Sequence, residues 1–333
     1  MTKLITGGTG YVGSELAHLL VERGETVVLF DIAINKSRIS DIVDECKLIQ
    51  GDLSNYSQVM NAVKENDVTE IYHLGSMLTN ASDLNPWGSF QTNVIGTYNI
   101  LEAARIFNVE KMMFASTFGT FGLLLDEVLT DISIQRPITF YGCGKLYCEG
   151  LGRYYNRKFG LDFRSVRYAQ MVGPEVRTQG HWAPAMIEDA INGKVNECVF
   201  AYPETAISMI YVKDAARAAY MVLQAPRDNI RMMNYNVAGI PDFVTAAELE
   251  RTLNKRYKDS KVIYKPDASL EEIGNDFRTL KRFDDTYARN EWGWYPEYDT
   301  IDRIVDAFEM DIRSDPERHG IQSKNSLFKG EKP

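Results

Sequence analysis

Gly7-Gly8-Thr9-Gly10-Tyr11-Val12-Gly13 is the stretch that decides the fold of this chain. An apolar run at residues 4–6 leads into it, and a helical pattern at residues 14–23 follows. A GxxGxxG spacing between strand and helix lets backbone N–H groups approach a pyrophosphate. The positive end of the helix dipole faces the same point. Glycine-rich turns are common, so the turn is weighed with its neighbours. Asp31 closes the next apolar run, residues 27–31, about 20 residues on. A carboxylate there accepts hydrogen bonds from adenosine ribose hydroxyls and repels a 2′-phosphate. The expected cofactor is therefore NAD, not NADP. The plainer reading of Asp31 is a solvated strand end, and the adjacent glycines favour the binding reading.

Working outward, short apolar runs alternate with helical patterns. Runs at 48–50, 71–74 and 111–116 are interleaved with helical stretches at 57–64 and 96–105. Residues 163–168 and 235–237 read as further strands, with a helix at 213–223 between them. Such alternation predicts an α/β fold, a Rossmann-like doubly wound parallel sheet with helices on both faces. Nearly continuous apolar runs suit strands buried on both sides. A smaller mixed α/β substrate-binding part is expected beside it. The division read from the sequence is 1–168 and 206–237 for cofactor, 169–205 and 238–318 for substrate, and 319–333 as a polar tail.

Composition narrows the class. The 333 residues suit one large domain or two intimate ones. Hydrophobic residues are 44% and charged residues 25%, ordinary globular proportions that exclude collagen, coiled coil and disorder. No apolar run is long enough to span a bilayer, and no basic-then-apolar leader is visible, so a cytoplasmic protein without a membrane partner is expected. Cys46, Cys143, Cys148 and Cys198 form no CxxC pair, and no His, Cys and Asp ligand cluster points to a metal. A net charge of −9 lacks the basic footprint of a nucleic-acid partner.

Two more strand ends repeat the geometry of the glycine turn. Asp52 follows the third run and can reach an adenine. Gly75 follows the fourth, where a missing side chain lets the nicotinamide half pass close to the backbone. Both residue types are also ordinary in turns. Tyr141 and Lys145 are spaced YxxxK, which on a helix puts both on one face. An ammonium beside a phenol stabilises phenolate and makes tyrosine a usable base. The pair follows a strand ending in Ser116-Thr117, whose hydroxyls can hold a reacting oxygen. Dinucleotide, tuned tyrosine and hydroxyl donor together make a hydride-transfer constellation on a small-molecule substrate.

These motifs, with GDLS at 51–54, HLGS at 73–76, TNVIGTYNILEAAR at 92–105, ASTFGTFG at 115–122, RYAQMVGP at 167–174 and MIYVKDAARA at 209–218, resemble the extended short-chain dehydrogenases/reductases. That is the NAD-dependent epimerase/dehydratase family. The resemblance implies that Thr117, five residues before Gly122, is the Ser/Thr catalytic position and that Tyr141 is the acid/base. It implies that Lys145 binds the nicotinamide ribose. Around the cofactor it implies Gly7, Gly10, Tyr11, Val12, Gly13, Asp31, Ile32, Asp52, Leu53, Leu74, Gly75, Ser76, Asn93 and Tyr168. It also implies a homodimer through the helix after Asn93 and the helix carrying Tyr141.

Within that family the chain is most similar to the short-chain L-threonine 3-dehydrogenases, through RPITFYGCGK, YYNRKFGLDFRSVRY at 154–168, YNVAGIPDFVTAAEL at 235–249, VIYKPD at 262–267 and DDTYARNEWGWYPEYD at 284–299. Thr79 keeps their small hydroxyl in kind. Their RYPG becomes Arg167-Tyr168-Ala169-Gln170, their GTT becomes Gly180-His181-Trp182, and their SWP becomes Arg278-Thr279-Leu280. Thr79, Thr117, Tyr141, His181, Trp182 and Arg278 are therefore the expected substrate contacts. Packing for Trp182 and a solvated surface for Arg278 are the plainer readings. An inward Arg278 suits an anionic substrate group. The expected activity is NAD-dependent oxidation of a secondary alcohol on a small polar molecule. The alternatives are a nucleotide-sugar epimerase or dehydratase and a non-catalytic NAD sensor.

Overall fold

The computed structural model describes residues 1–176, 180–266 and 279–314. From the N-terminus the strands are β1 (Thr2–Thr6), β2 (Thr26–Asp31), β3 (Cys46–Gln50), β4 (Val68–His73) and β5 (Lys111–Thr117). There follow β6 (Val128–Leu129), β7 (Asp162–Tyr168), β8 (Gln170–Val172), β9 (Val195–Cys198) and β10 (Ala206–Tyr211). The last are β11 (Asn234–Val237), β12 (Ile240–Thr245), β13 (Lys261–Tyr264) and β14 (Arg282–Phe283).

Seven strands form one parallel sheet in the order β3-β2-β1-β4-β5-β7-β11. Alternate residues of each strand feed opposite cores, as the two-residue period of a strand requires. Ile5, Val27 and Leu29 join the core beneath the helices Tyr11–Val21 and Val212–Gln224. Leu4, Val28 and Phe30 join the core beneath Tyr56–Lys64, Gly96–Ile106 and Phe140–Phe159. Both faces are thus covered, which explains the unbroken apolar runs. This is the doubly wound, Rossmann-like α/β fold expected from the sequence.

A second, mixed sheet runs β6-β14-β12-β10-β8, and β9 pairs with β13. A third core lies with it, under the helices Trp182–Ile191, Ala246–Arg256 and Ile301–Ser314. Sheet membership differs from the sequence division at two places. β10 and β6, both inside segments read as cofactor-binding, pair in the second sheet. β10 is apolar enough for either sheet, and only its partners β8 and β12 decide.

Between Pro86–Ser89 and Gly96–Ile106 the chain stays helical through a π segment, Phe90–Ile95. Asn93 sits inside it. Among the described residues no helix is long and apolar enough to cross a membrane.

Candidate active site

A cavity of about 770 Å³ opens along the carboxyl ends of β1, β2, β4, β5 and β7. Its first wall is the glycine turn. Gly7 has φ +65°, and a Cβ there would lie 2.7 Å from the Cα of Gly75, so the turn and the end of β4 touch backbone to backbone. A Cβ on Gly13 would meet the Gly7 carbonyl at 2.1 Å, which lets the helix start directly under the turn. Gly10 faces the cavity with only the Gly7 carbonyl near its Cβ direction, at 3.2 Å. Tyr11 and Val12 complete this wall. The space over the turn is therefore bounded by backbone and by a helix N-terminus, the donor set that suits a pyrophosphate.

Asp31 and Ile32 line the cavity after β2. One oxygen of Asp31 accepts from Thr9 N at 3.0 Å and from Thr9 Oγ1 at 2.9 Å. These bonds fix the carboxylate against the turn. Asp52 and Leu53 line it after β3, and Leu74, Gly75 and Ser76 after β4. The residues present fit an NAD molecule laid across the strand ends.

Asn93 departs from its expected place. It is buried and does not line the cavity. Its side chain accepts from Met77 N at 2.8 Å and donates to Met77 O at 2.9 Å. It shapes the β4 loop from behind, and Met77 and Thr92 stand on the wall instead.

The Tyr–Lys helix, Phe140–Phe159, starts at a side-chain cap. Thr139 Oγ1 accepts from Gly142 N at 3.0 Å, and Gly160, at φ +77°, ends the helix. Gly142 is needed for close approach, because a Cβ there would lie 2.1 Å from the Gly119 carbonyl. That contact seats the first helical turn on the loop after Thr117. Thr117, Tyr141, Lys145 and Tyr168 consequently share the cavity wall. Tyr168 turns its hydroxyl away, donating to the Ala215 carbonyl at 3.0 Å.

Burial acts on both members of the pair. It pushes the Tyr141 phenol up to about 12, and the Ser76 hydroxyl, hydrogen-bonded to it, works the other way. It pushes Lys145 down to about 8. Lys145 Nζ donates to the Ala115 carbonyl at 2.7 Å and lies 5.5 Å from the Tyr141 ring centre. The group that directly supports the phenol oxygen is thus Ser76, with the ammonium behind the ring.

At the other end stand Thr79, His181 and Trp182. Trp182 lines this end and is at the same time buried in the third core, the packing that its plainer reading expects. Burial holds the His181 imidazole neutral, down to about 4, and its Nδ1 is buried without a hydrogen-bond partner. Arg278 lies outside the described residues. The sequence reading missed Gln170 as a wall residue, and Phe200, Tyr202, Glu204 and Thr205 of the loop between β9 and β10. That loop carries no spacing motif. Among the described residues no group of three His, Cys, Asp or Glu side chains is placed to hold a metal.

Comparison with known proteins agrees with this geometry. The model of the NAD dependent epimerase/dehydratase family matches residues 3–238. The L-threonine 3-dehydrogenase, mitochondrial, of Sus scrofa is 31% identical, over 91% of this chain and 80% of that protein. The solved structure of a monomeric L-threonine 3-dehydrogenase from a metagenome is 26% identical with a TM-score of 0.83, over 94% of this chain and 99% of that one. A UDP-glucose 4-epimerase from Thermotoga maritima, 23% identical with a TM-score of 0.80 over 94% of this chain and all of that one, shares the fold.

Proposed function

The chain belongs to the NAD dependent epimerase/dehydratase family, as an NAD-dependent enzyme of the extended short-chain type, and within it we propose that it oxidises a secondary alcohol on a small polar molecule. The observation that carries this reading is the shared wall of Thr117, Tyr141 and Lys145 beside the glycine turn. Bound NAD supplies the hydride acceptor. The Tyr141 phenolate takes the hydroxyl proton, and the Thr117 hydroxyl donates to the same oxygen. The Lys145 ammonium stabilises the phenolate and holds the nicotinamide ribose. Gly10, Tyr11, Val12 and Gly13 receive the pyrophosphate, and Asp31 the adenosine ribose.

The substrate end supports a small polar molecule. Its described polar groups are hydroxyls, an amide, a neutral imidazole and Glu204, and Lys145 is the one cation on the described wall. The resemblance-based expectation that Arg278 meets an anionic substrate group is kept as part of this proposal, and on it Arg278→Gln would raise KM for an acid substrate at least tenfold. His181 and Trp182, in place of two small hydroxyls, shift preference away from L-threonine. The test follows NADH absorbance with L-threonine, other 3-hydroxy acids and UDP-sugars supplied separately. Oxidation of a hydroxy acid supports the reading, and UDP-sugar isomerisation without NADH accumulation replaces it with the epimerase. His181→Thr combined with Trp182→Thr would then raise kcat/KM for threonine, and no change would place those side chains outside substrate contact.

We also propose a homodimer. Trp87 and Tyr98 on one helix and Tyr147 and Tyr154 on its neighbour are exposed, which supports a face for a second copy. Sedimentation checks it, with Tyr147→Glu plus Tyr154→Glu expected to give monomer.

A further inference from the structure

Phe118 directly follows Thr117, and the carbonyl of Gly119 after it seats the first turn of the Tyr141 helix. The residue is thus held between Thr117 and the helix that carries Tyr141. Its ring is held as well. Between ring centres it lies 5.5 Å from Phe283, edge-on, 6.3 Å from Phe121 and 6.2 Å from Phe243. Phe121 and Phe283 are fully buried and do not line the cavity. Phe118 and Phe243 are half-buried, packed against the core under Tyr11–Val21 on one side and lining the cavity on the other. Phe243 lies on β12. The neighbouring strands β10 and β8 add Ile207 and Met171, also half-buried and also on the wall. An apolar floor therefore runs from the reacting centre across the second sheet. Core packing accounts for one side of these residues and leaves their cavity side unexplained.

We propose that the alcohol oxidised here carries an aryl group on its carbinol carbon, seated on Phe118 and Phe243. This rests on the alcohol oxidation argued above and names its substrate class, a 3-aryl-3-hydroxy acid. A secondary carbinol has two carbon arms. With the hydroxyl at Tyr141 and Thr117, the polar arm meets Thr79, Gln170, His181 and Thr205, and the other arm meets the rings. A methyl there covers little of the floor and leaves water against it. A phenyl covers the floor and takes the offset or edge-on contact that aromatic rings prefer. Phe118 is already fixed by Phe121 and Phe283, so little side-chain ordering opposes binding. Met171, unbranched and polarisable, adapts to the edge of the incoming ring. The carbinol carbon loses its hydride to NAD and its hydroxyl proton to Tyr141, leaving an aryl ketone.

The test uses substrates that differ only in that arm, methyl against phenyl. One pair is 3-hydroxybutyrate and 3-hydroxy-3-phenylpropionate. The other, with an amino group added, is L-threonine and 3-phenylserine. Each is supplied with NAD, and NADH is followed by fluorescence. In whichever pair is oxidised, kcat/KM for the phenyl compound is expected to be at least about tenfold the higher. The intrinsic reactivity of the two alcohols cancels when variants are compared by their phenyl-to-methyl ratio. Phe118→Leu and Phe243→Leu keep apolar volume and remove a ring from the wall, and each is expected to lower that ratio at least about fivefold. Phe121→Leu takes a ring from the same cluster but not from the wall. Its thermal unfolding should fall, and its ratio should stay within about twofold of the unaltered enzyme. Methyl compounds oxidised as well as phenyl compounds by the unaltered enzyme, or an equal loss of ratio in Phe121→Leu, would overturn the proposal and leave alcohol oxidation standing. NADH from none of the four, nor from any other hydroxy acid, would remove the alcohol-oxidation reading and this proposal with it.

Discussion

At the glycine turn the cavity wall is backbone; at the opposite end, between β8 and β10, it is side chain. The first wall is set mostly by missing side chains in one seven-residue stretch, with Gly75 closing against it from the end of β4. The second is assembled from Thr79, Gln170, His181 and Thr205, brought together from four separate segments. A pyrophosphate is the same in every dinucleotide and can be met by N–H groups. Substrates differ, and only side chains can distinguish them. The comparison teaches where change is tolerated. The substrate end can be rebuilt one side chain at a time, and the turn cannot.

The largest expected effect lies between the two ends. Tyr141→Phe should reduce turnover by about 10²–10⁴-fold, the worth of a positioned proton acceptor. NAD affinity, by calorimetry, should change little. A parallel loss of affinity would mean that Tyr141 belongs to the cofactor wall and not to the junction.

Next comes a contrast of two glycines. Gly13→Ala pushes a Cβ to within 2.1 Å of the Gly7 carbonyl, so the turn must open. Overpacking of this sort costs about 1–3 kcal/mol, and thermal unfolding should fall by several degrees. NAD affinity should weaken at least tenfold. Gly180, at φ +86°, has no atom within 4 Å of its Cβ direction. Gly180→Ala should therefore cost backbone strain of about 1–2 kcal/mol and leave NAD affinity unchanged. Equal effects on NAD would erase the distinction between the ends.

Asp31→Ala should weaken NAD about tenfold, equivalent to about 1.4 kcal/mol, and bring NADP affinity closer to it. Side-by-side titrations check this. Tighter binding of NADP than NAD by the unaltered protein would reverse the assignment.

A pH dependence of stability is shared by two buried histidines, His73 and His181. Burial holds His73 down to about 3 and His181 down to about 4, whereas both titrate near 6.5 when unfolded. Between those values the unfolded chain binds protons that the folded chain refuses. Stability is thus complete above about 6.5 and declines as the pH falls toward 4. Thermal melts from pH 8 to 4 should show the decline, and His181→Gln should flatten part of it. An unchanged slope in that variant would mean that His181 is already solvated.

Much of this was legible in the sequence. Apolar runs marked the strands of the large sheet, and the YxxxK spacing puts Tyr141 and Lys145 on one face of a helix, which the segment Phe140–Phe159 forms. The resemblance places Asn93 around the cofactor, whereas its amide is spent on Met77 and Ser89. Phe200, Tyr202 and Thr205 left no trace, since a wall built of separate side chains has no spacing to read. The buried ion pair of Glu149 and Arg167, 2.7 Å apart, did have a signal. A carboxylate one turn beyond Lys145 and an arginine just before Tyr168 are both apolar-flanked, and a buried charge needs a partner.

The π segment at Phe90–Ile95 has a consequence for insertions and deletions. A π turn accommodates one residue more than an α turn, so the helix before it is rotated by about 100° relative to an unbroken α-helix. That phase lets Asn93 face Met77 while Thr97, one turn later, faces His73. Deleting a single residue between 90 and 95 would therefore act as a twist and not as a shortening. Trp87 and Phe90, whose rings stack 6.0 Å apart, would swing off their face, and the loop carrying Met77 and Ser76 would lose its anchor. A one-residue change of length, harmless in most surface helices, would in this one be felt at the Tyr141 hydroxyl.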